Sequence, residues 1–302
     1  MRFKGSFNFV HKSRYSFAFS IIVTVLGIIT LLWHGLNYGI DFSSGTNLDV
    51  SIQQQVTKEQ VSDVLSNMEL SKEPNITMGT ERINIRFSDV LSEDASNQFK
   101  AEFEKIAPGS SYDINTVDVE IARETQRNAI LSVLIASLGI ILYVSIRFNW
   151  RFAVSAVISL LHVAFLVISV FSIFQLEVNL PFILAVLTII GYAVHDTIVI
   201  FDRIRENMRF AKLRTMDDLA HLVNDSIYQT LSRSINTVLT VLVAAVSLFI
   251  FGSESIRMFS LAIIIGLIFG AYSSIFIASP LWVLFKKNDL NKTKTVKKPK
   301  EA

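Results

Sequence analysis

The sequence predicts a membrane protein, built as a bundle of six spanning helices with a small α+β domain inserted after the first helix. The 302-residue chain is 51% hydrophobic with a mean hydropathy of +0.46, which is too apolar for an ordinary soluble domain. It contains six apolar runs long enough to cross a bilayer, which takes about 20 helical residues. The polar stretch 35–128, after the first run, alternates strand-like and helix-like patterns.

The six predicted spans are 16–33, 129–146, 152–174, 180–201, 235–251 and 256–285. The first could instead be a secretory signal, because Lys12 and Arg14 precede it. It is longer than a typical signal core, however, and the following LLWHGLNYG offers no cleavage site with small residues. We therefore expect a retained span. Residues 1–34 then hold the N-terminus and the first helix, and residues 129–285 hold the other five.

The distribution of Lys and Arg predicts the orientation, since the cytoplasmic flanks of spans are enriched in these residues. They cluster at the N-terminus, in the links after the second and fourth spans, and in the tail 286–302. The opposite links, QLEVN and GSESIR, share a single Arg. We expect both termini in the cytoplasm and 35–128 outside the cell membrane. The tail is predicted to be disordered. Its positive charge is explained by its cytoplasmic location alone, and the alternative is that it binds anionic lipid.

Within 35–128 the pattern predicts the order βαββαβ. The strands are TNLDVSI, NITM, RINIRF and SYDINTVDVEI. TKEQVSDVLSNM begins with a capping box of Thr57 and Gln60, and SEDASNQFKAEFEKI is a second amphipathic helix opened by Ser92. This order is typical of a ferredoxin-like α+β domain. We interpret the acidic residues of this domain as solvent-exposed surface residues. In the alternative interpretation, the domain has a function of its own, as a binding module or as a lever that the membrane part moves.

The link between the fourth and fifth spans predicts one more helix, near 216–231. Apolar residues of MDDLAHLVNDSIYQTL fall on one face, and Asp217 and Asp218 lie near its N-terminus, where the helix dipole favours negative charge. We expect this helix to lie along the membrane or to pack beneath the bundle. His221 within it is interpreted as an ordinary exposed residue rather than as a ligand.

Classical enzyme chemistry is not expected. The chain has no cysteine, which excludes disulfides, thiolate nucleophiles and cysteine-ligated metals. No G-x-x-x-x-G-K-[ST] motif is present, so any ATP dependence would belong to another protein. No Ser/His/Asp set, metal cluster or cofactor motif stands out, and no nucleic-acid partner is expected.

Charged residues inside the spans are the strongest functional signal. Asp196 lies six residues before Asp202 in the fourth span, about 9 Å below the predicted membrane edge. Arg233 stands at the start of the fifth span, at similar depth. An intramembrane charge is costly, so it usually faces a bundle interior and marks a transport pathway. The alternative is a static Asp196–Arg233 pair that only ties two helices together.

Other polar residues extend this candidate pathway. His195 adds a titratable group beside Asp196, and Asn236, Thr237 and Thr240 fall on or near the face of Arg233. His162 lies near the middle of the third span. For His162, a plain hydrogen bond to a neighbouring helix is the simpler explanation.

Several motifs resemble those of the SecD/SecF family. GIDFSSGT after the first span, which contains Gly39, Asp41, Phe42 and Gly45, is similar to the family's G-x-D-F-x-G-G-T. LTIIGYAVHDTIVIFDRIREN resembles its span-four motif G-Y-S-x-N-D-T-x-V-x-F-D-R-x-R-E, and LSRSINTVLT resembles its R-x-x-N-T segment. The resemblance covers nearly the whole chain, and the short insert resembles that of the smaller of the two family members.

The resemblance implies half of a resistance-nodulation-division type transporter, completed by SecD. The pair would use the proton gradient to assist export of unfolded proteins through the SecYEG channel, after the ATP-driven SecA step. By motif position, Asp196 would be the proton-accepting carboxylate and Arg233 its basic partner. The location implied is the bacterial cell membrane, with membrane lipids as further contacts.

Three residues depart from the family pattern. His195 stands where the family usually has Asn, and Val163 follows His162 where many relatives have Asp. Ser44 replaces the first Gly of the usual G-G pair. His195 either compensates within a proton relay or simply hydrogen-bonds as Asn would. Ser44 affects only the turn at the base of the exterior domain.

Two other functions share these features. A proton-coupled exporter of small molecules or lipids would have the same bundle and buried carboxylate, but usually about twelve spans and two large exterior insertions in one chain. A non-transporting scaffold would use Asp196 and Arg233 as a structural tie.

Overall fold

The computed structural model describes residues 7–68, 70, 72–79, 81–211, 213 and 215–296. In chain order its elements are α1 (Phe9–Trp33), β1 (Asn37–Tyr38), α2 (Ile40–Ser43), β2 (Gly45–Ser51), α3 (Lys58–Ser66), β3 (Asn75–Met78), β4 (Arg82–Phe87), α4 (Glu93–Ile106), β5 (Ser111–Val117), α5 (Val119–Arg147), α6 (Trp150–Ile173), β6 (Glu177–Val178), α7 (Leu180–Phe210), α8 (Met216–Phe251), α9 (Glu254–Ser273), a π-helical turn (Ser274–Ala278) and α10 (Ser279–Val296).

The chain forms two compact units. The helical bundle comprises Met1–Asn37, Val133–Leu176 and Pro181–Ala302, and the α/β domain comprises Tyr38–Ser132 with Glu177–Leu180. Within the described residues, six helical segments are long and apolar enough to cross a membrane, which confirms the predicted number of spans. Each unit is built around its own set of buried side chains.

The α/β domain has the predicted order β2–α3–β3–β4–α4–β5. Its four strands form an antiparallel sheet in the spatial order β3–β4–β2–β5, which is the split βαβ arrangement expected of a ferredoxin-like domain. Leu48 of β2 lies opposite Ile85 of β4 and Ile114 of β5. On the covered face these residues pack against fully buried helix residues such as Phe99 and Phe103.

Local capping explains where the domain's helices begin. Thr57 and Gln60 form the predicted capping box, with nitrogen–oxygen distances of 2.9 and 3.4 Å. The backbone N–H of Ala95 donates to Ser92 Oγ at 3.2 Å, as expected because Ser92 caps the N-terminus of α4.

The last predicted strand, SYDINTVDVEI, is too long. β5 ends at Val117, and α5 begins at Val119, whose N–H donates to Asp118 Oδ1 at 2.6 Å. An aspartate cap therefore starts a helix inside a stretch that alternates in polarity. As a result α5 begins ten residues before the predicted start of the second span.

The helix predicted near 216–231 is not a separate element. It is the first part of α8, which runs unbroken from Met216 to Phe251. A capping box of Thr215 and Asp218 begins the helix, and no Gly or Pro interrupts it. Its polar middle, SRSINT, remains helical.

The sixth span is composite. α9 passes into a π-helical turn at Ser274–Ala278, and α10 follows and extends to Val296. The sequence predicts disorder from Lys286, but the structure is helical there, because an established helix extends readily through residues such as Leu and Lys. The remainder of that segment, 297–302, lies outside the described residues.

Candidate proton-transfer site in the helical bundle

Asp196 is a buried carboxylate on α7. Asp196 as a whole is only 9% exposed. Its Oδ1 accepts a hydrogen bond from Ser234 Oγ on α8. Its Oδ2 is buried and has no hydrogen-bond partner among the residues that the structure describes. A buried carboxylate oxygen without a partner is energetically costly.

The sequence places Arg233 opposite Asp196, whereas the structure brings Ser234 into contact. Arg233 is exposed, and among the described residues it forms no ion pair with Asp196. Successive residues of an α-helix are turned by about 100°, so a helix that presents Ser234 to α7 directs its neighbour elsewhere. The side chain that the sequence analysis missed here is a serine within LSRSINTVLT.

Arg233 instead begins a polar stripe on α8, formed by Arg233, Asn236, Thr237 and Thr240. The spacing i, i+3, i+4, i+7 places these residues on one helix face, where they are exposed or half-buried. The two threonine hydroxyls donate to backbone carbonyls of their own helix, at distances of 2.8 to 3.1 Å. Arg233 and Asn236 are thus the members of the stripe that require a partner.

α7 also presents polar groups at its surface. His195 and Tyr192 are exposed, on the face adjoining the buried Asp196. Polar side chains on the outside of a membrane bundle normally meet another protein surface or a water-filled cavity. The exposed faces of α7 and α8 are therefore candidates for contact with another polypeptide or with a water-filled cavity.

Asp196 is one of the residues that line a small cavity. The cavity has about 20 Å³ of space for water, which is enough for one molecule. Its walls come from α7, α8 and α9: Tyr192, Ala193, His195, Asp196, Thr237, Val238, Gly266, Leu267, Gly270 and Ala271. The cavity thus brings His195, Asp196 and Thr237 of the predicted pathway together.

Two glycines let α9 lie close to α7 at this cavity. A Cβ added to Gly266 would lie 2.3 Å from Ile189 Cδ1, and one added to Gly270 would lie 3.7 Å from Ala193 Cβ. Their spacing, Gly-x-x-x-Gly, is a common signal of close helix packing in membranes. It is readable from the sequence, and the sequence analysis did not use it.

His162 belongs to a separate network of buried hydroxyls. Its Nδ1 lies 3.1 Å from Ser273 Oγ, which is 2.8 Å from Ser159 Oγ. Within the described part of the chain, its buried Nε2 has no hydrogen-bond partner. At the adjoining π-helical turn, Ser274 Oγ lies 2.9 Å from Thr197 Oγ1. Ser273, the last residue of α9, therefore contacts α6, and Ser274, the first residue of the turn, contacts Thr197, which follows Asp196 on α7. π-helical turns occur frequently at functional sites.

The motif after the first span lies in the α/β domain. Phe42 is buried, and the Gly39 N–H donates to the Val178 carbonyl at 2.8 Å. Asp41 Oδ2 accepts from the Leu180 N–H at 2.8 Å. Gly45 has a φ of 127°, and an added Cβ would lie 2.2 Å from the Phe87 carbonyl oxygen, so only glycine fits there.

Two protein-family models match the chain. The model described as "Protein export membrane protein SecD/SecF, C-terminal" matches residues 98–288, and the model described as "SecD/SecF GG Motif" matches residues 34–56. The second match contains Gly39, Asp41, Phe42 and Gly45, and the first contains Asp196 and Arg233.

Individual relatives agree with the family models. The chain is 42% identical to the protein translocase subunit SecF of Alicyclobacillus acidocaldarius over 96% of both proteins. It is 46% identical to SecDF of Bacillus subtilis, with 94% of this chain covering 39% of that protein. The crystal structure of SecDF from Thermus thermophilus matches with a TM-score of 0.83 and 34% identity, over 94% of this chain and 39% of that one. The chain thus covers nearly the full length of this SecF but well under half of the two SecDF proteins.

Proposed function

The chain belongs to the SecD/SecF family of protein export membrane proteins, and we propose that it works as the SecF-type subunit of the Sec protein translocase. In this proposal it pairs with SecD and uses the proton gradient to help complete export of unfolded proteins through the SecYEG channel, after the SecA step. The full-length similarity to proteins named SecF supports the subunit assignment.

The observation that carries the proposed proton coupling is the environment of Asp196. Among the described residues, Oδ1 is held by Ser234 and the buried Oδ2 has no hydrogen-bond partner, and Asp196 is one of the residues that line a cavity large enough for one water molecule. A proton arriving through that water would bind at Oδ2. The neutral carboxyl would hold the Ser234 hydroxyl less strongly, since hydrogen bonds to a charged acceptor are the stronger ones. Protonation would therefore loosen α7 from α8.

The energy available is sufficient for such a step. One charge that crosses a potential of 100 mV releases about 2.3 kcal/mol. Since about 1.4 kcal/mol corresponds to a tenfold change in an equilibrium constant, a single proton can shift a two-state helix arrangement by more than tenfold.

The proposed SecD partner accounts for the exposed polar groups. Arg233 and Asn236 on α8 and His195 on α7 would otherwise face lipid. A second six-span half packed against these faces would supply hydrogen-bond partners and complete a route for protons. The coverage of 39% of a SecDF chain is consistent with a subunit that forms one part of a larger transporter.

The proposed orientation follows from the basic flanks. Arg147 and Arg151 border one link, Arg203 and Arg205 border another, and all four would face the cytoplasm with both termini. Asp202, near the predicted cytoplasmic edge of α7, lies within ion-pair distance of Arg205 at 2.7 Å. In this arrangement the α/β domain lies outside the cell membrane.

The proposal is tested in sealed inverted vesicles that contain this protein, its SecD partner and the SecYEG channel. A precursor is held as a translocation intermediate, ATP is removed, and completion of export is followed with and without a proton gradient. We expect the gradient to drive completion with the native protein and to have no effect with Asp196→Asn. Asp225→Asn, which removes an exposed carboxylate from α8, is the matched control and should behave as native.

If Asp196→Asn retains the full effect of the gradient, the proton role is wrong and a scaffold function is favoured. Small-molecule or lipid export is the other alternative, and it would appear as gradient-driven movement of a solute with no effect on the precursor. None of the relatives compared above carries a name that indicates such export, so we do not favour it.

A further inference from the structure

We propose that the N-terminal segment of the chain holds α8 in the rotation that presents Ser234, rather than Arg233, to Asp196. The contacts that do so are called the anchor, which consists of Phe7, Asn8, Phe9, Asn224, Tyr228 and Phe276. Asn224 and Tyr228 are its positioning residues, because they act on the carboxylate only through Ser234. The effect on export rests on the proposed function, whereas the effect on the rotation of α8 does not.

Asn224 of α8 takes part in the start of α1. It is 7% exposed, its Oδ1 accepts from the Val10 N–H at 3.2 Å, and its Nδ2 donates to Asn8 Oδ1 at 2.8 Å. Asn8 is the N-cap of α1, and its Oδ1 also accepts from the His11 N–H at 2.9 Å. The first amides of a helix lack partners within the helix, so a side chain of α8 supplies one of them here. Because the Asn224 amide is bonded on both sides, its orientation is fixed.

Tyr228 lies one turn further along α8 and holds the same N-terminal segment. Its hydroxyl accepts from the Phe7 N–H at 2.7 Å and donates to the Phe7 carbonyl at 3.1 Å. Its ring meets that of Phe9 with the ring centroids 5.1 Å apart. Phe9 is 7% exposed, and its ring centroid is also 5.7 Å from that of Phe276 in the π-helical turn. The segment therefore binds α8 through its backbone and packs against both α8 and the turn.

Both elements that meet at the anchor also contact α7 at the candidate site. The Ser234 hydroxyl of α8 is hydrogen-bonded to Asp196, and Ser274 Oγ of the π-helical turn lies 2.9 Å from Thr197 Oγ1. Asp196 and Thr197 are successive residues, and both are buried. The anchor thus holds together two elements that contact neighbouring residues of α7.

The place of the anchor on α8 determines which residue faces Asp196. α8 is one unbroken helix, so a rotation at Ser234 is also a rotation at Asn224, about 15 Å away. Around this helix Asn224 lies about 80° from Ser234 and about 180° from Arg233. To bring Arg233 to the place of Ser234, α8 must turn by about 100°, which breaks the hydrogen bonds of Asn224 and Tyr228. The anchor therefore favours the arrangement in which the serine holds the carboxylate.

The test removes hydrogen bonds of the anchor in the full chain. Tyr228→Phe removes only the hydroxyl and keeps the ring, and Asn224→Leu removes both bonds of the amide. Asn8→Asp keeps the acceptor oxygen that Asn224 and His11 use, and it should therefore behave as native. Tyr143→Phe, which changes a tyrosine of α5 that is 54% exposed, is the matched control. If Asn224→Leu fails to fold, Tyr228→Phe carries the test.

The first measurement reports the rotation of α8 and does not depend on export. The chain has no cysteine, so a single introduced cysteine reports the burial of one helix face. Ala245 is 5% exposed and lies about 20° from Ser234 around α8, and Ala156 on α6 is 4% exposed. Ala245→Cys and Ala156→Cys are made separately. Their reaction with a membrane-permeant maleimide is followed in liposomes that contain the purified protein.

We expect Tyr228→Phe and Asn224→Leu to raise the reaction rate at Ala245→Cys by about threefold or more. Each lost hydrogen bond changes an equilibrium by about twofold to tenfold, and the turned helix exposes this face. The rate at Ala156→Cys should not change, because α6 does not turn. The two conservative variants, at Asn8 and Tyr143, should leave both rates at the native value.

The second measurement is a double-mutant cycle in the vesicle system described above, with SecD and the channel present. Tyr228→Phe and Ser234→Ala are measured singly and together for gradient-driven completion of export. Substitutions this far apart normally have additive effects. Because Tyr228 acts through Ser234, we expect Tyr228→Phe to reduce completion by about twofold to tenfold in the native background. In the Ser234→Ala background it should have no further effect.

The inference is overturned if the rate at Ala245→Cys stays at the native value in the anchor variants. It is also overturned if the rate at Ala156→Cys rises equally, because the bundle would then be loosened without a rotation of α8. Additive effects of Tyr228→Phe and Ser234→Ala on completion would contradict it as well. If Asp196→Asn keeps the gradient effect, the proposed function has failed, and the two cysteine rates alone then decide whether the anchor positions α8.

Discussion

The hydroxyl of Ser234 on α8 is hydrogen-bonded to the carboxylate of Asp196 on α7. This contact joins two of the helices that carry intramembrane polar residues, at a point where Asp196 is only 9% exposed. Its strength depends on the charge of the carboxyl, because a charged acceptor binds a hydroxyl more strongly than a neutral one. The serine thus connects the protonation state of α7 to its packing against α8.

Removing this hydroxyl should weaken the bundle. In Ser234→Ala the Asp196 carboxylate loses its hydrogen-bond donor, and a loss of this kind costs about 1–3 kcal/mol in the free energy of unfolding. We expect a lower thermal midpoint for the purified protein and reduced gradient-driven export. Ser234→Thr keeps a hydroxyl and should lose less. Ser247→Ala is the matched control, because that hydroxyl is exposed and donates only to the Val243 carbonyl of its own helix. Equal midpoints for the two alanine variants would contradict the prediction.

Ser44→Gly should stabilise the α/β domain. Ser44 has φ 64° and ψ 167°, a backbone conformation that residues other than glycine adopt at a cost of about 1–3 kcal/mol. Glycine removes that strain but adds about 0.5–1 kcal/mol of entropy to the unfolded chain, so we expect a net gain of about 1 kcal/mol. Increased hydrogen-exchange protection of β2 and β4 in the full chain would show it.

The control for this prediction is Ser43→Gly. Ser43 is helical, and its hydroxyl donates to the Gly39 carbonyl at 2.9 Å, so glycine there should lower protection. The strain argument for Ser44 would be wrong if both substitutions lowered it.

Asp49 should make the stability of the α/β domain depend on pH. Burial raises the pKa of the Asp49 carboxyl and outweighs the hydrogen bond from Asn84 Nδ2 at 2.7 Å, and the facing Asp113 raises the pKa further. Since the folded-state pKa lies above the unfolded value of 3.8, the folded domain holds this proton more tightly. The resulting stabilisation is complete below pH 3.8 and is lost as the pH rises through the folded-state pKa.

Asp49→Asn should remove this dependence and increase protection of β2 at neutral pH. The measurement is hydrogen exchange of the full chain at several pH values, corrected for the intrinsic exchange rate. Asp63→Asn, on the exposed side of α3, should leave the native pH profile unchanged. A native-like profile in Asp49→Asn would show that another group is responsible.

The sequence predicted the number of spans and the order of elements in the α/β domain, because both depend on patterns with a clear period. Long apolar runs mark the spans, and caps such as Thr57 with Gln60 mark helix starts. The end of β5 and the continuity of α8 were missed because they depend on single residues. Asp118 starts a helix within an alternating stretch, and the absence of Gly or Pro from 216–251 lets a polar segment remain helical.

For the candidate site, the sequence identified Asp196, His195 and Thr237, which the structure gathers around one cavity. It did not identify Ser234, Ser273 or Ser274, since a serine in an apolar helix usually donates to its own backbone and gives no sign of an interhelical role. Which of two adjacent residues, Arg233 or Ser234, faces α7 depends on the rotation of α8, which tertiary packing determines and no local sequence pattern specifies.

The α/β domain draws its residues from two separate stretches, Tyr38–Ser132 and Glu177–Leu180. A ribosome must therefore synthesise α5 and α6 before the last piece of the domain exists. The domain is therefore incomplete until Glu177 and Leu180 have been synthesised and lie on the same side of the membrane as Arg86 and Asp41. If the second or third span inserted in the wrong direction, Glu177–Leu180 would lie on the opposite side of the membrane from the rest of the domain, and the domain would lack its last piece.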